Sequence, residues 1–146
     1  MSMSNAAEQA LLDLLFLNTD WANVGDAGGL QNSATAGSFY VALHTADPGE
    51  AGDQTTSEAA YTSYARVAVA RSAGGWTRTT STISNTALVQ FPQCSGSSAL
   101  CTHFSIGTAS SGAGQIIVSG ALSSSLSVST GIQPQFAAGE LAATAD

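Results

Sequence analysis

Lysine is absent from this 146-residue chain, and its only cations are Arg66, Arg71 and Arg78, against ten carboxylates and a net charge of −7. Proteins that grip nucleic acid do so with clustered Lys and Arg that displace phosphate counterions. That balance excludes DNA and RNA as partners and argues equally against docking on an anionic membrane. Charge of either sign is scarce: 9% of residues are Asp, Glu, Lys or Arg, where about 25% is usual. Ser, Thr, Ala and Gly take their place, so polar surface is built from hydroxyls and backbone, which cost far less to desolvate than ions. Long apolar runs are also missing, and no stretch reaches the ~18 residues of a membrane span. The opening MSMSNAAEQALLDLLFLN has no early cation, and Glu8 and Asp13 interrupt its apolar run, unlike a secretory leader. A protein made in the cytoplasm that stays soluble is expected. Cysteine is limited to Cys94 and Cys101. Their spacing fits neither a redox nor a zinc motif, and free thiols are the default in a reducing compartment.

What is present suffices for one domain with a core of its own. Asn5 with Glu8 has capping-pair spacing, and Leu11, Leu12, Leu15 and Phe16 make one apolar stripe, so a helix is expected over 5–18. The glycines at 25, 28 and 29 weaken its continuation. From Ser38 the period changes from 3.6 to 2. Runs at 38–44, 64–71, 75–78, 87–91, 102–106, 115–122, 126–128, 132–136 and 140–144 read as short strands separated by Gly and Ser clusters. The segment 45–57, with Pro48, Gly49 and Gly52, reads as a polar surface loop. The expected fold is mainly β: an antiparallel β-sandwich or jelly-roll-like domain over 38–146, preceded by an N-terminal helical arm over 1–37.

The densest polar cluster is His44-Thr45-Ala46-Asp47-Pro48-Gly49-Glu50. His44, Asp47, Glu50 and His103 are the residue types of a metal site, but Asp before Pro-Gly is also what a reversing strand needs, and the spacing is not that of a calcium loop. A hydrolase needs a nucleophile, base and orienting acid. No serine sits in a nucleophile elbow, SSGAGQ lacks the lysine of a phosphate loop, and neither cysteine has a flanking cation to hold a thiolate. No catalysis, metal or cofactor is expected. Trp76 is assigned to the core and Trp21 to an interface. Leu11, Leu12, Leu15, Trp21, Phe136 and Leu141 are the candidate protein-interaction residues, because terminal segments can be laid over a partner at low cost to the fold.

LHTADPGEAGDQTTSEAAYTSYARVAVARSAGGW (43–76), Phe91-Pro92, THFSIGTASSGAGQIIVSGAL (102–122) and GIQPQFAAGEL (131–141) resemble a family of short tailed-phage and prophage virion proteins, often labelled tail fibre or structural protein. The opening helix ending in Trp21-Ala22-Asn23 resembles that family too, so the likeness covers nearly the whole chain. It implies a virion component and brings no catalytic residues. A compact chain without repeats fits a long fibre poorly. Small β-sandwiches in phage heads serve as decoration or cement proteins. That analogy puts capsid cement first, with the major capsid protein and copies of itself as partners, a homo-oligomer in the particle and a location in the phage head. A tail-fibre or tail-associated role comes second, and a carbohydrate-binding module third.

Overall fold

A computed structural model describes residues 2–146. The chain forms two compact units, each gathered from separated segments. The first holds the residues up to Ser38 with Ala70–Leu88 and Phe136–Asp146; the second holds Phe39–Val69 and Val89–Gln135.

In the first unit, helix α1 (Asn5–Phe16) packs on strands β3 (Trp76–Thr79) and β4 (Thr82–Asn85). Ser4 is its N-cap, with a side chain that accepts from the Ala7 amide at 3.3 Å. The expected Asn5–Glu8 capping pair does not form. Glu8 is buried and accepts from the Ser81 hydroxyl at 2.5 Å. The buried line is Glu8, Leu12 and Phe16, a strict i, i+4, i+8 stripe, and Phe16 meets Trp76 edge-on with ring centroids 4.9 Å apart. Leu17 already departs from helical geometry. β4 sits between β3 and β9 (Ala142–Thr144), both antiparallel to it. Buried Asn85 fastens the C-terminal segment: its amide donates to the Ala87 and Ala137 carbonyls, and its oxygen accepts from the Leu141 amide.

The second unit is built on a four-stranded sheet ordered β2 (Val67–Ala70), β1 (Ser38–His44), β6 (Ala99–Gly107), β7 (Ile116–Val128), with β1–β6 and β6–β7 antiparallel. Central β1 is covered on both faces, with Phe39 and the run from Val41 to His44 all buried. Such a strand reads as a continuous apolar run rather than an alternating one. Edge strand β7 alternates between half-buried and exposed residues over much of its length. Two steps along β6, Cys101 to His103, oppose five along β7, Ala121 to Leu126. This bulge lies between Ala121 and Leu126 and joins what the sequence presents as two strands. A two-stranded pair, β5 (Val89–Gln90) and β8 (Gln135–Phe136), completes the pairing. The architecture is the expected one in class: mainly β, antiparallel, with one N-terminal helix. Cys94 and Cys101 are free and buried, and burial pushes the Cys101 thiol up to about 11.

Candidate functional site

The polar residues with the most chemistry converge in the second unit, on Arg66. Its Nε donates to Glu58 Oε1 at 2.6 Å and its Nη2 to Glu58 Oε2 at 2.8 Å, a two-point fork. The remaining donors reach the carbonyls of Ala109 and Gly112 at 2.9 and 2.8 Å, and Gln54 Oε1 at 3.4 Å. All five guanidinium N–H groups are thereby occupied. Tyr64 donates to Glu58 Oε1 and accepts from the Leu43 amide, each at 3.0 Å. Desolvation moves the Tyr64 phenol well above its usual range, and the hydrogen bond to Glu58 holds Arg66 above its own.

Gln54 carries the loop of 45–57 into this cluster. Its amide nitrogen donates to the Tyr40 carbonyl at 3.0 Å, and its oxygen accepts from the Ala109 amide at 3.0 Å. It fits because Gly107 and Gly114 have no side chains. A Cβ on Gly107 would stand 2.3 Å from Gln54 Cδ, and one on Gly114 2.3 Å from Gln54 Oε1. The loop read as wholly superficial is thus anchored through a side chain with no exposed surface.

A cleft of about 450 Å³ opens beside the cluster, lined among others by Glu58, Tyr61, Tyr64, Arg66 and Ser111. Its floor is already satisfied. Arg66 and Glu58 bind each other, Tyr64 binds Glu58, and Tyr61 donates to the Pro92 carbonyl at 3.0 Å. Burial first, and the neighbouring Cys101 and Cys94 after it, push Tyr61 up to about 12. The arrangement fastens a loop to a sheet.

His44 and Ser105 form a histidine–serine contact with the geometry of a nucleophile and its base. Nδ1 lies 2.8 Å from the Thr56 carbonyl and Nε2 2.8 Å from Ser105 Oγ. The carbonyl can only accept, so Nδ1 carries the proton and Ser105 donates to Nε2. Both residues are 0% exposed, so a substrate carbonyl cannot reach Oγ. Desolvation lowers the His44 pKa and keeps the ring neutral. The pair ties β1 to β6.

Of the residues considered as metal ligands, His44 and His103 stand opposite each other across β1 and β6, but both rings and the Asp47 carboxylate are used within the fold. Both His44 nitrogens are engaged, Asp47 accepts from the Gly49 amide at 2.9 Å as a turn-forming Asp does, and His103 pairs with the Thr102 hydroxyl at 2.9 Å. Among the described residues no group of three His, Cys, Asp or Glu could hold a metal ion. Of the candidate interaction residues, Leu12 and Leu141 are buried, while Leu11, Leu15, Trp21 and Phe136 are partly exposed. Trp76 is buried as expected.

The Arg66 cluster and the His44–Ser105 pair bind the chain to itself, and the surface carries hydroxyls, carboxylates and apolar side chains. A family model described as podophage GP4 fiber I protein gp80 matches residues 2–144. The chain belongs to that family. It is a phage virion structural protein, as the resemblance of its sequence implies. No curated protein matches the chain.

Proposed function

We propose that this protein is a component of the phage tail fibre, a non-enzymatic module that works by binding other proteins of the particle. The match of a fibre-protein family along residues 2–144 carries this proposal. It reverses the order in which sequence and size ranked the two virion roles, where head cement stood before fibre. The chemistry of the second unit supports a structural role. Arg66, Glu58, Tyr64 and His44 spend their hydrogen-bonding capacity on the protein's own backbone and on each other. A short module of this kind is one piece of a fibre whose length comes from other chains or from repetition.

The test is a phage deleted for this gene, compared with wild type in two assays. A fibre component predicts that adsorption to the host falls at least tenfold, while heads release DNA at the same temperature as before. Heads that rupture at lower temperature with adsorption intact would return the protein to the capsid surface as cement.

A further inference from the structure

Residues 18–33 of the first unit form a loop whose base and tip are both fixed by hydrogen bonds. Asn18 holds the base: its side-chain amide donates to the Ser33 carbonyl, its side-chain oxygen accepts from the Ser33 amide, and its own carbonyl accepts from the Asn32 side chain, each at 2.9 Å. Asp20 Oδ1 accepts from the Asn32 amide at 2.7 Å. Trp21 and Leu30 exchange a pair of backbone hydrogen bonds at 2.9 Å. At the tip Asp26 Oδ1 accepts from the Gly28 and Gly29 amides at 2.8 and 3.0 Å. Gly29 has a φ of +66°, and a Cβ there would meet the Trp21 carbonyl oxygen at 2.1 Å, so only glycine closes the turn.

This ordered loop presents apolar side chains outward. Val24 is 38% and Leu30 44% exposed, and Trp21 is partly exposed. Rigid presentation of a large aromatic opposite an aliphatic, Trp21 against Leu30, lowers the ordering cost of binding. At the base of the loop the Arg71 guanidinium donates to Ser33 Oγ at 3.3 Å, and the loop's own charged side chains are carboxylates. Residues 18–33 contain Asp20 and Asp26 and no cation. A second copy of the chain is a poor match for this surface. Its three cations are engaged within its own fold: Arg66 with Glu58 and two carbonyls, Arg71 with the carbonyls of Leu14, Leu15 and Ala36, and Arg78 with Asp13.

We infer that the loop at 18–33 is the surface by which this protein attaches to a different virion protein, one that offers an apolar pocket rimmed by arginine or lysine. Trp21, Val24 and Leu30 enter the pocket, and Asp20 and Asp26 face the basic rim. The inference rests on the virion role proposed above and names the contact that serves it.

The test complements the deletion phage with variants and counts copies of this protein in purified particles by quantitative mass spectrometry, with melting of each isolated variant as a check on folding. Val24→Ser with Leu30→Ser should melt as wild type and load at least tenfold less, the scale set by removing two anchors of an interface. Asp20→Asn with Asp26→Asn retains the oxygens that close the loop and removes only charge. It should load a few-fold less when particles are assembled in low salt, with the deficit shrinking in high salt. Wild-type loading of the Val24→Ser, Leu30→Ser variant overturns the inference and leaves the virion role standing. So does a change in the oligomeric state of the isolated variant with normal loading, which would make the loop a contact between copies. Absence of the wild-type protein from particles would overturn the virion role itself.

Discussion

Arg66 has a side chain only 2% exposed, and its partner Glu58 is 19% exposed. Removing one member of such a pair strands the other, and the expected cost is about 3–5 kcal/mol. Arg66→Met should therefore lower the urea midpoint sharply, because Glu58 keeps its charge while the Ala109 and Gly112 carbonyls lose their donor. Adding Glu58→Gln to Arg66→Met should recover part of that loss, since the uncompensated charge goes. A double variant no more stable than Arg66→Met alone would show that the lost carbonyl contacts, not the stranded carboxylate, dominate. None of this network is legible in the sequence. Arg66 stands in an alternating run, YARVAVAR, as one more outward polar residue, and nothing nearby tells that Gln54, Ala109 and Gly112 converge on it. Its partners are brought by loops, and loops carry no periodic signal.

Helix α1 is held by the other two arginines, and they are not equal. Arg71 donates to the carbonyls of Leu15 at 2.5 Å and Leu14 at 2.8 Å, in the last turn of the helix, where carbonyls lack intrahelical partners and a cation complements the dipole. Arg78 pairs with Asp13 at 2.5 Å, but both side chains are more than a fifth exposed, and pairs of that kind contribute about 0–1 kcal/mol. Arg71→Ala should cost about 1–2 kcal/mol and lower the melting temperature by several degrees, and Arg78→Ala distinctly less. Equal losses in the two variants, measured in the same buffer, would contradict this ranking. The helix itself was legible, because leucines at helical spacing leave a strong mark. Its exact face was not. Glu8 reads as a cap and instead lies inside, with the Ser81 hydroxyl as its partner. β1 was legible over its full span, since a strand covered on both faces is apolar throughout. β4 was missed because TISN has one large apolar residue, Ile83, and gains its place from pairing with β3 and β9. β7 reads as two strands in the sequence because Ser123–Ser125 look like a linker, whereas one strand runs through them with a register shift between Ala121 and Leu126.

For the whole molecule the same distribution of charge sets how stability depends on pH. Ten carboxylates against three arginines leave the chain at −7. Among them Asp53 is held below the usual carboxylate range by its hydrogen bonds from Thr55. His44 acts earlier. Its pKa lies below the ordinary 6.5, chiefly through desolvation; Arg66 and His103 lower it further, while the Thr56 carbonyl and Glu58 oppose the shift. Below pH 6.5 the unfolded chain therefore takes up a proton that the native ring resists. The stability from this site is complete above pH 6.5 and is lost as pH falls toward the native pKa, by at most ~1.4 kcal/mol per pH unit for one proton. Melting temperature should fall steadily between pH 7 and pH 5. His44→Asn retains a donor for the Thr56 carbonyl and cannot be protonated. It should melt lower than wild type at pH 7.5, because Ser105 loses its acceptor, yet show a shallower decline toward pH 5. Parallel declines for wild type and His44→Asn, followed by calorimetry across that range, would place the acid sensitivity elsewhere in the molecule.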